Sequence, residues 1–424
     1  MSSQQAVSDA RQAVPDATRF GPLAESAADA ETKAAAVAAA RTFVSVAEFE
    51  QAAEALWAPG PRAFIQEGAG SGRSIAANLA AHTRWALRSR VLVDVSHIDT
   101  TTTVLGHEIS MPIIVGPSGL HNLSHTEAEV GTAIGARDAD TVMVLSAGSS
   151  QSMEDVRAVG GTTWFQMYWG ADRERTARLI ANAEATGCSA LCITVDLPVR
   201  PLLGPSMIAG VQSVAAERPM YVMPRGAHLA GGAWDHDASL TWNDLAWLRE
   251  QTTLPLILKG IMTGEDAALA AEHGVEAVIV SNHGGRSLDT PRGTLDALPE
   301  VVAATVGTAT EVYVDGGFRH GAEVVVALSS APAQCCSAAP WSGGSPRADR
   351  PGSLHCSSSI GASWSAPWAP SAPPRSPPSA ARASPKARCD HDGVDPLGCR
   401  RGRGWKRGPR RPASEYGSPG IRKP

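Results

Sequence analysis

From residue 43 onward, short apolar runs alternate with stretches of helical periodicity. The segment FVSVAEFEQAAEALW (43–57) repeats apolar positions at helical spacing and predicts an amphipathic entry helix. Seven later runs predict strands: PIIVGPS (112–118), TVMVLS (141–146), TWFQMY (163–168), ALCITVD (190–196), PLILKG (255–260), AVIVSN (277–282) and EVYVDGG (311–317). Segments such as ERTARLIANAEATG (174–187) and GEDAALAAEHG (264–274) predict helices between them. Short runs rich in Val, Ile and Leu, separated by helices, are the pattern of buried parallel strands in βα units.

The polar residues at the strand ends choose between two α/β architectures. Ser146, Gln166, Tyr168, Asp196, Lys259, His283 and Asp315 stand at or just past the C-terminal ends of six of these strands, Gln166 and Tyr168 sharing one. An open doubly wound sheet concentrates its site at one switch point. A (β/α)8 TIM barrel draws its site from many strand ends, so the barrel is the expected fold. An eighth strand should follow the helix GAEVVVAL (321–328), but SSAPAQCCSAAPWSGGSPRADRPGS has neither strand nor helix periodicity. The eighth strand and its helix are therefore expected to be missing, replaced by a disordered tail. The Pro- and Gly-rich stretch 199–239 reads as a loop over the barrel mouth.

Composition sharpens the division of the 424-residue chain. Apolar residues make up 43% and charged residues 19%, enough for a large core and incompatible with disorder throughout. The net charge of −5 conceals a basic tail: from Ala331 to Pro424 there are 15 Lys/Arg against 5 Asp/Glu, with 16 of the 30 prolines and 5 of the 7 cysteines. Three regions are expected: an Ala-rich extension at 1–42, a barrel at 43–328 and a Pro/Ser/Arg-rich tail at 329–424. No run reaches the roughly 20 apolar residues of a membrane helix, and the N-terminus lacks a basic-then-apolar leader pattern. A soluble cytoplasmic protein is expected.

SNHGGRSLD (281–289) places His283 and Arg286 just past a strand, with two glycines between them that permit close approach. Histidine suits a general base and arginine a carboxylate clamp, although an ordinary polar loop carries the same residues. Lys259 ends a strand, where it either meets an anion or electron-rich ring or simply snorkels. In VDGGFRHG (314–321) a Gly-rich turn, a helix start and Arg319 fit a phosphate. Asp196 is either a strand-end cap or the carboxylate that orients His283. Gln166 and Tyr168 are packing residues with polar tips or ligands. Cys188 and Cys192 fit no zinc spacing and read as buried reduced thiols; His121, His125 and His273 form no metal set.

Taken together and in order, Q-x-Y, TVD-x-P, the strand lysine, SNHGGR and VDGG-x-R resemble the FMN-dependent α-hydroxy acid oxidases and dehydrogenases, the family of glycolate, lactate and mandelate oxidases. The resemblance spans about residues 43–328 and implies oxidation of a 2-hydroxy acid to the 2-oxo acid. It implies that Arg286 takes the substrate carboxylate, while Tyr168 and His283 take the hydroxyl. His283 would act as base, held by Asp196, while a hydride equivalent passes to the flavin. Lys259 would stabilise negative charge at the flavin N1 and O2 edge. Pro117, Ser118, Ser146, Gln166 and Thr194 would surround the ring, and Asp315, Gly316, Gly317 and Arg319 the ribityl chain and phosphate. Oxygen or another acceptor would then reoxidise the flavin, and the folded protein would be a homo-oligomer.

Three departures from the family pattern carry expectations of their own. Phe64 stands where the family has a substrate-binding tyrosine, which favours a larger, more apolar acid of the mandelate type. The second substrate arginine falls at Leu203 by ungapped count, with Arg200 the nearby candidate. Back-translated with GC-rich codons, residues 329–347 permit, in a shifted frame, an apolar strand and Gly-Arg, so a frameshift near codon 329 is the hypothesis for the tail. The competing reading is a catalytically inactive derivative that has no function because the barrel is incomplete, or that only binds. In that case RRGRGWKRGPRR (400–411) could attract nucleic acid, but out-of-frame GC-rich DNA yields the same composition and makes a nucleic-acid partner the weaker expectation.

Overall fold

The computed structural model describes residues 43–125, 127–199, 237–330 and the backbone of 336–338. The expected N-terminal extension, Arg200, Leu203, most of the 199–239 loop and the tail apart from those three residues lie outside this set.

Three helices lead in. α1 (Val46–Leu56) starts at a capping box in which Ser45 and Glu48 satisfy each other's backbone N–H groups. α2 (Pro59–Gln66) has proline in its first turn, and α3 (Arg73–Thr83) turns a polar face inward: Ser74, Asn78 and His82 are all buried. A small antiparallel hairpin, β1 (Thr102–Val104) and β2 (His107–Ile109), follows.

The barrel strands are β3 (Ile113–Val115), β4 (Met143–Ser146), β5 (Thr163–Tyr168), β6 (Leu191–Thr194), β7 (Leu256–Ile261), β8 (Ala277–Val280), β9 (Glu311–Val314) and β10 (Cys336–Ala338). The helices between them are α4 (Ala128–Asp138), α5 (Met153–Arg157), α6 (Arg173–Ala185), α7 (Asp244–Gln251), α8 (Gly264–Glu272), α9 (Thr294–Thr305) and α10 (Gly321–Ser330). All eight strands pair in parallel and the sheet closes on itself. β4, β6 and β8 are buried on both faces along their whole length, which is why these runs show no polar alternation.

The barrel follows the expectation, and its closure corrects one part of it. β10 occupies the eighth position that was expected to be empty. It pairs with β3 at Cys336↔Ile113, Ser337↔Ile114 and Ala338↔Val115, and with β9 at Cys336↔Val314. Ladder hydrogen bonds are made by backbone groups, so two open parallel edges can accept an extended segment that has no apolar pattern of its own. The helix expected to be lost after this strand falls outside the described residues.

Two apolar layers result. One lies between the sheet and its helices, with Leu145, Phe165, Met167, Ile193 and Leu258 among its members. The other fills the barrel interior: Ile114, Val144, Trp164, Cys192, Ile257, Ile279 and Tyr313, joined by Val104 and Ile109 of the hairpin. Leu105 N–H donates to Glu311 at the start of β9, so the hairpin plugs the N-terminal end of the barrel. The opposite end is left for chemistry.

Candidate active site

The strand ends bring the chemically capable residues together at the C-terminal mouth. Lys259 on β7 is almost fully buried, donates to Ser281 Oγ at 2.9 Å and lies 3.6 Å from Asp315 beyond β9. Burial alone would lower the Lys259 pKa, but Asp315 and then Asp196 outweigh it and hold the ammonium above its ordinary value. A buried, permanently charged lysine is thus fixed at the centre of the mouth. The next residue explains its direction: β7 shifts register between Lys259 and Ile261, and Gly260 at φ +120 presses on Asp196. A Cβ at Gly260 would come within 2.5 Å of Asp196 Cβ, so only glycine allows this close approach.

Asp196 in turn faces His283, with Oδ1 3.0 Å from Nδ1. Burial works to raise the Asp196 pKa, but the charge and hydrogen bond of His283 prevail, and the carboxyl sits below its ordinary value. An anionic Asp196 favours a proton on Nδ1, so in the neutral ring Nε2 is the acceptor. Nε2 lies 3.4 Å from the Tyr168 hydroxyl, with the two rings stacked at 6.3 Å. Burial pushes the Tyr168 phenol up to about 12, against a partial offset from Lys259, so it stays a neutral donor.

Arg286 sits two residues past the glycine pair's first member and points back to the entry segment. Its Nη1 donates to the carbonyls of Phe64 at 2.7 Å and Glu67 at 2.8 Å, and its guanidinium lies 4.9 Å from the centre of the Phe64 ring. Burial lowers its pKa to about 10, which leaves it cationic at neutral pH. Among the described residues its hydrogen bonds go to backbone carbonyls, and no carboxylate neutralises it. A half-buried cation of this kind is a ready seat for an anion.

The remaining expected residues form the floor and one rim. Ser146 Oγ donates to Gln166 Oε1 and Gln166 Nε2 donates to Thr194 Oγ1, both at 2.9 Å, forming a buried polar band across β4, β5 and β6. Pro117 and Ser118 follow β3, half-buried, with Ser118 Oγ 2.7 Å from His121 Nε2. Gly316 and Gly317 turn at φ +97 and +87, tight against Thr294, Asn78 and His82. Arg319 is the outlier: it donates to its own neighbour's carbonyl, Phe318 O, and pairs loosely with Glu50 at 3.8 Å. Asp315 Oδ1 is buried without a hydrogen-bond partner among the described residues, as is Asp196 Oδ2. A buried acceptor beside a buried lysine, a Gly-Gly turn and a polar band are what a hydroxyl-bearing ring cofactor with a phosphate would satisfy.

Ser281 was missed by sequence reasoning, although it lies inside the motif singled out for His283. It accepts both from Lys259 Nζ and, at 3.1 Å, from the His283 backbone N–H. His121 was considered only as a metal ligand; its ring instead bridges Ser118 and Thr132. Cys188 and Cys192 are buried free thiols, as expected.

A closed parallel barrel with a carboxylate-backed histidine, an unneutralised arginine and a buried lysine at its mouth defines an enzyme that handles protons on anionic substrates beside a bound cofactor. Residues 53–355 match the FMN-dependent dehydrogenase family model, and the chain belongs to that family. It is 41% identical to an L-lactate oxidase from Nostoc over 312 residues, covering 68% of this chain and 82% of the relative. It is 38% identical to glycolate oxidase from Spinacia oleracea over 281 residues, covering 63% of this chain and 76% of that enzyme. A mandelate oxidase variant crystallised with 2-hydroxy-phenylacetamide superposes with a TM-score of 0.66 at 32% identity, covering 76% of this chain and 92% of that one. The protein is a flavoenzyme of the (β/α)8 class, its cofactor is FMN, and its activity is oxidation of a 2-hydroxy acid.

Proposed function

We propose that the substrate is an aromatic or medium-sized apolar 2-hydroxy acid, oxidised to the 2-oxo acid with His283 as base. The observation that carries this reading is the pairing of Arg286, half-buried and without a carboxylate partner among the described residues, with the Asp196–His283–Tyr168 chain at one mouth. Arg286 takes the substrate carboxylate and Tyr168 donates to the hydroxyl oxygen. His283 Nε2 accepts the hydroxyl proton, and Asp196 stabilises the imidazolium that forms. Lys259, Asp315, Gly316, Gly317, Pro117, Ser118, Ser146, Gln166 and Thr194 would hold the FMN, with Arg319, which pairs with Glu50 at 3.8 Å, toward its phosphate. Bound there, FMN supplies the two-electron acceptor, which oxygen or another oxidant then regenerates.

Phe64 supports the larger substrate, because a ring rather than a phenol hydroxyl lines the Arg286 side of the mouth. Anaerobic bleaching of the FMN-loaded protein with mandelate, lactate and glycolate tests this. Mandelate is expected to bleach fastest, and a clear preference for glycolate sinks the assignment. His283→Gln should slow bleaching by about 10²–10⁴-fold while retaining FMN. Self-association is part of the proposal. Trp85, Leu87, Val91, Leu92 and Val93 leave a run of apolar side chains exposed, with Leu92 fully in solvent, which favours a homo-oligomer. Light scattering that finds only monomer removes this part.

A further inference from the structure

The loop bearing His283 has a backbone that its own sequence does not enforce. His283 lies at φ +60, followed by Gly284 at +64 and Gly285 at +80. For a residue with a Cβ the left-handed region is disfavoured, and it persists where the surroundings impose it. Asn282 does part of this: its Oδ1 accepts from Gly285 N–H at 3.1 Å and its Nδ2 donates to Arg292 O at 3.2 Å.

The rest comes from a residue two hundred positions earlier in the chain. Asn78, on the inward face of α3, exchanges two hydrogen bonds with the Asn282 amide: Asn78 Nδ2 donates to Asn282 Oδ1 at 2.9 Å, and Asn282 Nδ2 donates to Asn78 Oδ1 at 2.8 Å. Asn78 Oδ1 also accepts from Thr294 N–H at 3.2 Å, at the start of α9, and Thr294 Oγ1 donates to Asp315 O. The two amides are 3% and 7% exposed. α3 is itself fastened to the same loop, because Asp289 accepts from the backbone N–H groups of Ser71 and Ser74, and Ala69 N–H donates to Gly285 O at 2.9 Å. Side-chain amides are costly to bury unless their donors and acceptors are filled, so this reciprocal pair tolerates few other arrangements of the loop.

We propose that Asn78 is a positioning residue for the oxidation: through the paired amides it holds Asn282, and with it His283, in the left-handed turn that sets the imidazole between Asp196 and Tyr168. The side-chain hydrogen bonds of Asn78 go to Asn282 and Thr294, and it acts through Asn282. The proposal rests on His283 serving as the base.

The test uses the full FMN-loaded chain, Asn78→Ala, Asn78→Asp, Asn282→Ala and the double variant Asn78→Ala/Asn282→Ala. The readouts are anaerobic flavin bleaching against acid concentration and backbone hydrogen exchange over 283–287. Asn78→Ala should slow the limiting bleaching rate roughly tenfold to a hundredfold. Half-saturation should stay within about threefold, because Arg286 is untouched. Exchange over 283–287 should accelerate about tenfold or more as the tether opens. Asn78→Asp keeps the acceptor for Thr294 but cannot donate to Asn282, so it should show the same slowing even where the alanine variant fails to fold. The double variant should be no slower than the worse single variant, since both remove one shared contact. A wild-type bleaching rate in Asn78→Asp, slowed bleaching with unchanged exchange, or losses that multiply in the double variant would overturn the proposal. If the parent's flavin is bleached by no 2-hydroxy acid, the functional reading falls, while the exchange comparison still decides whether Asn78 holds the loop.

Discussion

Lys259 and Asp315 show at the residue scale how the site is bound into the fold. Their side chains are each about 6% exposed and lie 3.6 Å apart, so removing one leaves the other buried and unpaired. Lys259→Met is expected to cost about 3–5 kcal/mol, read from urea unfolding, with Lys259→Met/Asp315→Asn recovering much of it. Equal losses in the single and double variants would mean that the charge pair is not the cause. Asp196 supplies a pH dependence. Its folded-state pKa is depressed by His283, so the unfolded chain binds the proton more readily as pH falls. That stabilisation is complete above the ordinary aspartate range and is lost as pH drops through the depressed value. The unfolding midpoint should therefore hold steady above about pH 5 and fall below about pH 4, with a shallower fall in Asp196→Asn. Parallel curves for the two proteins would assign the dependence to other carboxylates. Most of these residues were legible in the sequence because each ends a strand. Asn78 was not: a buried asparagine on an amphipathic helix looks like any polar position until its partner 204 residues away is known.

The elements divide by how much of their stability is local. β5 and the body of β7 were visible as apolar runs, and α8 begins where its periodicity does. The hairpin β1–β2 and strand β10 were not visible, for a shared reason. Three-residue strands carry too little pattern to read, and their extended form comes from what they pair with. The bulge at Gly260 was also invisible, since a glycine in a strand run signals only that something comes close. Gly260→Ala tests what that approach is for. The added Cβ would meet Asp196 and force a backbone shift costing about 1–3 kcal/mol, while slowing flavin bleaching through the displaced Asp196. Thermal unfolding and bleaching measured on one preparation check both halves, and a variant that loses stability yet bleaches at the parent rate would separate Gly260 from the site.

At the scale of the whole molecule the question is closure. β10 bonds to β3 on one side and β9 on the other, so it is the piece that turns an open curled sheet into a barrel. A chain ending after residue 330 should lose FMN retention and melt roughly 5 °C or more below one ending after residue 345, which keeps the strand. Matching melting curves and FMN contents would show that the backbone pairing at 336–338 contributes nothing. The order of the first seven barrel strands and the helices between them, the burial of those strands and the family of the chain were set by the sequence alone, because side-chain polarity and periodicity are local and each βα unit repeats them. Closure by an unpatterned segment, the plugged lower end, the left-handed turn under His283 and the meeting of Asn78 with Asn282 were decided only in three dimensions. Each depends on backbone hydrogen bonds or close contacts between residues far apart in the chain, and neither leaves a periodic trace in the sequence.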